Sequence, residues 1–295
     1  MFVFGGQSSF CDPSSHFPLN FRIRLGFVHG VFFLLLFWFR ALGMTIAQTV
    51  NSCEISFIHL PHTSENDVAY VPNYVSNDEE TYLLNAIADQ PASRWNQMET
   101  STRRIQVWGG NVDAKLKAVI GGVQPLPPFL AKTAEHVGAT CCSQVATEFW
   151  GKKMQKPNHV LVNEYTTGQG VMPHEDGPCY QPGVAILSLQ SPAVITFTSK
   201  LGDDCTQKPP LHVALMPRSL LIFRGKAYTD YLHGIDDVEA HVVASDALLN
   251  GTDEEVKGAL TKREDGHLQL KRTNTRYSLT FRAVRGAMAW ASLRK

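Results

Sequence analysis

Two side chains that can bind a metal ion, His174 and Asp176, stand two residues apart in the segment VMPHEDGP (171–178). Residues two apart in an extended segment project to the same side. A third potential ligand, His233, follows in the segment YLHGI. Two histidines and one carboxylate form a facial ligand set that binds Fe(II) and leaves three coordination positions open. The three residues therefore predict an iron site, although HED alone could equally be a surface histidine beside a solvated acid.

A second group of residues could hold an anion near that site. Arg276 and Arg282 lie six residues apart in RYSLTFR, so they share one face of a strand. A buried arginine is costly unless it meets an anion, and its planar fork suits a carboxylate. Asn163 and Tyr165 share a strand face in the same way. The pattern predicts a pocket with two guanidinium groups, and a solvated strand face is the alternative.

The elements that must position these residues are short strands preceded by helices. Capping and apolar spacing predict a helix over 77–90, with Asn77 as the cap and Glu80 closing a capping box, and a second helix over 127–150. The segment 93–110 is typical of a short hairpin. β-Branched and aromatic residues predict strands over 158–165, 184–190, 193–198, 219–225 and 276–284, and a polar loop over 200–210.

The ordered motifs NEY, HED, HGI and RYSLTFR resemble those of the AlkB-type Fe(II)/2-oxoglutarate dioxygenases over residues 68–286. Within that family, the stretch VLVNEYTTGQGVMPHEDGP is similar to the sixth AlkB homologue of eukaryotes. The resemblance implies an α+β fold with a double-stranded β-helix (jelly-roll) core braced by N-terminal helices. It also implies a dioxygenase that uses Fe(II), 2-oxoglutarate as cosubstrate and O2.

The resemblance assigns roles by position. His174, Asp176 and His233 would bind iron, Arg276 would pair with the far carboxylate of 2-oxoglutarate, and Asn163, Tyr165 and Arg282 would add hydrogen bonds. Two positions depart from the bacterial pattern. Ser278 stands where an asparagine usually helps to hold the cosubstrate, and Pro178 stands where the bacterial enzyme has an acid that contacts the base. The second change weakens the inference that alkylated bases are the substrate.

The segment 93–110 is expected to serve as a lid that faces the substrate. Arg103 and Arg104 could contact phosphate, and Trp108 could stack on a base. The alternative is that Trp108 belongs to the core and that the two arginines are solvated. Lys and Arg together balance Asp and Glu at 27 each, which excludes binding of nucleic acid by bulk charge alone.

Three functions fit these observations. The favoured one is oxidative demethylation of N-alkylated nucleic acid, with RNA or tRNA preferred over duplex DNA. The second is hydroxylation or demethylation of protein by the same chemistry, and the third is a non-catalytic RNA-binding protein. The six cysteines lack the spacing of a disulfide scaffold or a zinc finger, which favours a reduced intracellular chain. We expect a monomer located in the cytoplasm and nucleus.

The chain is expected to divide into a core domain with extensions. The apolar run at 31–39 is shorter than the roughly 20 residues that span a bilayer, so no stable membrane association is expected unless it is retained. Residues 236–265 have nine acids and three bases, a net charge of −6, and are expected to form a solvated, partly helical or disordered insert. The expected segments are a dispensable apolar leader or a mis-assigned extension at 1–44, an N-terminal linker at 45–67, the dioxygenase domain at 68–286 and a C-terminal tail at 287–295.

Overall fold

The computed structural model describes residues 56–61, 63, 64, 67–97, 103–113, 118–120, 122–140, 157–200, 209–284, 287 and 288. All of them belong to one compact unit, Met44–Lys295. The leader predicted at 1–44 and most of the tail predicted at 287–295 lie outside the described residues. Within the described part of the chain, no helix is long and apolar enough to cross a membrane.

The described residues form eighteen strands and four helices. The strands are β1 (Ser56–Phe57), β2 (Val68–Val71), β3 (Asn96–Gln97), β4 (Arg104–Trp108), β5 (Asn111–Asp113), β6 (Ala118–Ile120), β7 (His159–Tyr165), β8 (Val171–His174), β9 (Tyr180–Leu189), β10 (Ala193–Ser199), β11 (Leu211–Leu215), β12 (Leu220–Arg224), β13 (Tyr231–Ile235), β14 (Ala240–Val243), β15 (Leu260–Lys262), β16 (Leu268–Lys271), β17 (Arg276–Val284) and β18 (Ala287–Met288). The helices are α1 (Asn77–Ala88), α2 (Pro128–Thr140), α3 (Gly225–Thr229) and α4 (Glu254–Ala259).

Two sheets face each other and form a double-stranded β-helix. The main sheet has the order β1-β2-β12-β9-β17-β7-β4-β3, and the second sheet has the order β11-β10-β13-β8. The chain passes from β7 in the main sheet to β8 in the second, back to β9, and on to β10 and β11 in the second sheet. β12, β13 and β17 continue this alternation. The predicted jelly-roll core is therefore confirmed, and the five predicted strands all lie within it.

Apolar side chains from both inner faces fill the space between the two sheets. Val68, Ile186 and Phe223 from the main sheet pack in one cluster with Ile195 and Leu215 from the second sheet. Burial of one such side chain stabilises the fold by roughly 1.5–3 kcal/mol before the entropy cost of ordering it. The cluster therefore holds the two sheets together, and some of its members, Ile186, Ile195 and Leu215, also line the pocket between the sheets.

The helices α1 and α2 cover the outer face of the main sheet, as predicted for the bracing helices. Leu83 and Ile87 of α1 and Leu130 of α2 belong to the cluster that packs on this face. The helix α1 begins at Asn77, and its N-cap stands one residue earlier than the predicted cap. Ser76 is the N-cap: its side chain accepts from Glu79 N, and the Glu79 side chain accepts from Ser76 N. The capping box predicted from Asn77 and Glu80 is therefore wrong. The box is formed one residue earlier in the chain, by Ser76 and Glu79.

The helix predicted over 127–150 is confirmed over Pro128–Thr140, and residues 141–150 lie outside the described residues. The hairpin predicted at 93–110 is confirmed by the antiparallel pairing of β3 with β4. β4 also pairs with β7, so the hairpin extends the main sheet. Residues 201–208 of the predicted polar loop are not described.

The acidic insert is partly helical, as one of the two alternatives predicted, but it also contains strands and buried side chains, so the expectation of a disordered or merely solvated segment is wrong. β14, β16 and β15 form a third sheet, and α4 follows Asp253, whose side chain caps the helix. Val243, Val256 and Leu270 pack against Val194 and Ala214 of the second sheet. The insert therefore covers the outer face of the second sheet, on the side away from the space between the two sheets.

The predicted linker at 45–67 is also partly wrong. Ser56 and Phe57 form β1 and pair with β2 at the edge of the main sheet. Ile58 and Leu60 are buried in the cluster between the sheets. At least the last part of this segment is thus part of the domain.

Candidate active site

The three predicted metal ligands lie together at the open end of the space between the sheets. The ligand atoms of His174, Asp176 and His233 all lie within 4.8 Å of one another. His174 ends β8 and is paired with His233 of β13, and their ring centroids are 4.4 Å apart. Asp176 stands in the turn that follows β8. Strand pairing, which places residues 59 positions apart opposite each other, therefore assembles the site.

The protonation of the histidines suits metal binding. His174 Nδ1 lies 2.9 Å from the Met172 carbonyl oxygen. Because a carbonyl only accepts, Nδ1 is the donor in this contact, and Nε2 is the ring atom left to face a metal ion. Burial lowers the pKa of His233 to about 3, so its ring is neutral at physiological pH. A histidine must be neutral to bind a metal ion.

Asp176 is held as a carboxylate in a buried position. Burial by itself raises the pKa of Asp176, but the Arg282 guanidinium outweighs burial and lowers the pKa below its usual value. Arg282 Nη2 lies 2.5 Å from Asp176 Oδ1. Asp176 Oδ2 is buried and has no hydrogen-bond partner among the described residues. An unpartnered carboxylate oxygen beside two imidazole rings is a donor set that fits Fe(II).

Arg276 lies in the same pocket with unused donors. Its side chain is 0% exposed, and its Nη2 donates to Ser188 Oγ at 2.8 Å. Its Nε and Nη1 have no hydrogen-bond partner among the described residues. Burial lowers the pKa of Arg276 to about 10, so the group stays charged at physiological pH. A buried cation with two free donors fits the far carboxylate of a diacid such as 2-oxoglutarate.

The other residues predicted for the cosubstrate line this pocket as well. Asn163 Nδ2 donates weakly to Ser278 Oγ at 3.4 Å and to Thr280 Oγ1 at 3.5 Å. Tyr165 is buried, and its ring lies 5.4 Å from the Arg276 guanidinium carbon. The lining residues are Arg103, Leu161, Asn163, Tyr165, Val171, His174, Ile186, Ile195, Leu215, His233, Gly234, Ile235, Arg276, Ser278, Thr280 and Arg282.

Arg282 faces the pocket as predicted, but its described ion pair is with Asp176. Its guanidinium carbon also lies 5.0 Å from the centre of the Tyr180 ring. The resemblance implied that Arg282 would donate a hydrogen bond to 2-oxoglutarate. The structure instead places it beside the metal-site carboxylate, because β17 runs from Arg276 towards Asp176.

Only one of the three residues predicted to contact the substrate faces the pocket. Arg103 Nε donates to Asn163 Oδ1 at 3.3 Å, and Arg103 lines the cavity. Arg104 points to the other face of the sheet, where it makes a bidentate ion pair with Glu164 at 2.8 Å. Trp108 lies on that outer face too, 6.1 Å from Phe129. The prediction that Arg104 and Trp108 face the substrate is therefore wrong, because alternate residues of β4 point to opposite faces.

Two polar residues of the site were not singled out from the sequence. Ser188 is a single hydroxyl within the apolar strand VAILSLQ, and it accepts from Arg276. Thr280 lies on the Arg276 face of β17, four residues after it. Both could have been found from the period of two in a strand and from the cost of burying a hydroxyl without a partner.

Comparisons with known proteins agree with this geometry. The sequence model of the 2OG-Fe(II) oxygenase superfamily matches residues 67–282. The chain is 33% identical over 225 residues to the Danio rerio protein named "Probable RNA/DNA demethylase ALKBH6", which covers 74% of this chain and 85% of that protein.

Two further similarities were found. The chain is 29% identical over 224 residues to the Xenopus tropicalis "tRNA (carboxymethyluridine(34)-5-O)-methyltransferase alkbh8", covering 73% of this chain and 31% of that longer protein. The solved structure of OsALKBH1 has a TM-score of 0.47 at 16% identity, covering 78% of this chain and 100% of that one.

Proposed function

Because the chain belongs to the AlkB-type branch of the 2OG-Fe(II) oxygenase superfamily, we propose that it removes methyl groups from nitrogen atoms of nucleic acid by oxidation, with RNA preferred over duplex DNA. The chain is a 2-oxoglutarate-dependent dioxygenase, and the nature of its substrate is the proposal. The names of two relatives support nucleic acid, since one is named for RNA and DNA and the other for tRNA.

The single observation behind the proposal is the shared cavity of the metal triad and Arg276. His174, Asp176 and His233 form one cluster of ligand atoms, and Arg276 presents two unpartnered donors in the same pocket. Three ligands on one face leave room for a bidentate cosubstrate and for oxygen. When bound, Fe(II) with 2-oxoglutarate and O2 supplies the oxidising power to insert one oxygen atom into a C–H bond, with succinate and CO2 as co-products.

The residues of the chain select and orient the reactants. Arg276 holds the far carboxylate, which sets the distance from that end of the diacid to the metal ligands. Asp176 stays ionised through Arg282, and neutral His233 completes the ligand set. Ile186, Ile195 and Leu215 line the cavity and exclude water from it. A hydroxylated N-methyl group then breaks down to formaldehyde and the free N–H, so the methyl carbon leaves as the aldehyde.

The position of Arg103 favours the binding of an anionic substrate. It lines the cavity, and its guanidinium carbon lies 5.9 Å from the centre of the Tyr165 ring. Arg103 is a cation placed where a phosphate next to an inserted nucleotide would pass, and phosphate contacts by arginine supply much of the affinity of nucleic-acid binding. The acidic insert covers the outer face of the second sheet and does not line this cavity.

The proposal is tested by the products formed from matched substrates. The purified protein with Fe(II) and 2-oxoglutarate is incubated with an N-methylated RNA oligonucleotide, its unmethylated twin, the methylated duplex DNA of the same sequence and a methylated peptide. We expect formaldehyde from the methylated RNA, in step with succinate, and less from duplex DNA. The variant Asp176→Asn serves as the control without turnover.

Each alternative predicts a different result. An oxygen atom added to the peptide, with no formaldehyde from either nucleic acid, would support the protein hydroxylase. RNA binding that is independent of 2-oxoglutarate, with no turnover of any substrate, would support the non-catalytic protein. Either result would contradict demethylation of nucleic acid.

A further inference from the structure

Arg272 is a buried cation outside the pocket. Its side chain is 2% exposed, and it does not line the cavity that holds the triad. Among the described residues, no carboxylate lies within ion-pair distance of it, and its Nε has no hydrogen-bond partner. A buried charge without a counter-ion is costly, so other contacts must compensate for its loss of water.

Those contacts are backbone carbonyls from two separate segments. Arg272 Nη1 donates to the carbonyl oxygens of Gln169 and, at 3.4 Å, of Val238. Arg272 Nη2 donates to the Thr166 carbonyl oxygen at 3.4 Å, and the Arg272 amide donates to Glu239 O at 3.0 Å. One guanidinium group therefore joins the turn at 166–170 to the turn that follows β13.

The two segments adjoin the strands of the metal-binding histidines. The turn at 166–170 leads into β8, which ends at His174, and Val238 follows β13, which contains His233. A second contact joins the same segments, because Gly170 N donates to Asp237 Oδ1 at 2.5 Å. Gly170 also needs to be glycine, since a Cβ there would lie 2.0 Å from Ile235 O.

The strands themselves fix this arrangement only weakly. β8 pairs with β13 at two positions, His174 with His233 and Val171 with Ile235. The register shifts between them, because β8 has one more residue than β13 in that interval. β8 is also the edge strand of its sheet, and Pro173 has no N–H to donate. A short, bulged edge pair needs anchors beyond its own hydrogen bonds to keep one register.

We propose that Arg272 is a positioning residue that sets the distance between His174 and His233 by tying together the segments next to their strands. It touches neither the metal nor the substrate, and it acts through the backbone of the turn at 166–170. Residues outside the ligand shell that orient metal ligands change metal affinity by about 10- to 100-fold when they are replaced. The inference rests on the metal site of the proposed function, but it concerns metal binding and needs no nucleic acid.

The test measures the affinity of the metal-free protein for Co(II) by visible absorption, with no cosubstrate or RNA present. Arg272→Met should raise the Kd for Co(II) by about 10- to 100-fold, and Arg272→Lys, which keeps a donor, should fall between that variant and the wild type. Lys271→Met is the matched control, because Lys271 is exposed and adjacent in the chain. It should leave the Kd unchanged.

The unfolding temperature of the metal-free variants separates positioning from general stability. A residue that only stabilises the fold would lower this temperature and leave the Co(II) affinity of the folded protein unchanged. A wild-type Kd in folded Arg272→Met overturns the proposal. If Arg272→Met does not fold, the Kd for Co(II) is measured for Arg272→Lys and Asp237→Ala instead. A wild-type Kd in both of these variants overturns the proposal. A failure here leaves demethylation of nucleic acid untouched, since that is judged by formaldehyde release.

Discussion

Arg103 and Arg104 are neighbours in the chain, yet their side chains lie on opposite faces of the main sheet. Arg103 donates to Asn163 in the pocket, whereas Arg104 pairs with Glu164 on the outer face. The two arginines therefore offer a matched pair of variants with the same change of charge at adjacent positions. Any difference in RNA binding between the two variants therefore reflects the face of the sheet on which the side chain lies, because the change in net charge is the same.

We predict that Arg103→Gln weakens RNA binding and that Arg104→Gln does not. Loss of one phosphate contact should reduce the slope of log affinity against log salt concentration by about 1. The measurement is a titration of RNA at several salt concentrations for wild type and both variants. Equal slopes for all three proteins would contradict the placement of a phosphate beside Arg103.

We predict that His233→Ala abolishes the formation of succinate while the protein stays folded. His233 is a ligand of the triad, and its ring makes no described ion pair that would be left unbalanced. His267→Ala is the control, because His267 is exposed and distant in sequence from the triad. Succinate formed by His233→Ala at the wild-type rate would show that the triad is not the iron site.

Asp176→Ala should differ from His233→Ala in stability as well as in activity. Removal of the carboxylate leaves Arg282 buried without its ion-pair partner at 2.5 Å. Breaking a buried pair in this way costs about 3–5 kcal/mol. Urea unfolding of the metal-free proteins should therefore show a lower free energy of unfolding for Asp176→Ala than for the double variant Asp176→Ala/Arg282→Met. A higher free energy of unfolding for Asp176→Ala than for the double variant would show that Arg282 is not destabilising when it is left without Asp176.

Arg276→Ala is predicted to raise the KM for 2-oxoglutarate and to change the kcat at saturation much less. A charge-assisted bidentate pair is worth about 2–5 kcal/mol, or roughly 30- to 5000-fold in affinity. The assay is succinate formation at varied 2-oxoglutarate with a fixed RNA concentration. An unchanged KM would place the far carboxylate elsewhere.

The buried histidines predict loss of stability in mild acid. Burial, with Arg272 and Arg276 nearby, lowers the pKa of His241 from 6.5 to about 4. The unfolded chain therefore takes up a proton between pH 6.5 and 4 that the folded chain does not. The free energy of unfolding should fall as the pH is lowered through this range, by about 1.4 kcal/mol per pH unit for each such histidine.

The variant His241→Gln checks this assignment. Its unfolding free energy should depend on pH less steeply than that of the wild type, by about 1.4 kcal/mol per pH unit between pH 6.5 and 4. A wild-type slope in His241→Gln would show that this ring is protonated in the folded protein.

The metal triad and Arg276 could be predicted because local rules determine them. Residues two or six apart on a strand share a face, and HED, HGI and RYSLTFR keep their order along the chain. Alternation shows which residues share a face, but it does not say which face is buried. The same rule separates Arg104, the first residue of β4, from Arg103, which stands directly before it, and only the pairing of β4 with β7 shows which one faces the pocket.

The acidic insert and Arg272 could not be predicted in this way. The nine acids of the insert indicate a segment that is exposed to solvent. A few apolar residues, Val243, Val256 and Leu270, nevertheless determine its packing on the second sheet. Arg272 binds carbonyl groups more than thirty residues away in sequence. Every residue has a carbonyl, so no pattern of side-chain types marks its partners.

The most direct test of the site is a crystal structure with Mn(II), as a redox-inactive substitute for iron, and 2-oxoglutarate, with anomalous diffraction to locate the metal. One strong anomalous peak should lie within bonding distance of His174, Asp176 and His233. The Arg276 guanidinium should lie within hydrogen-bond distance of the far carboxylate of the diacid. A metal peak away from these three residues, or a diacid that does not touch Arg276, would contradict the account.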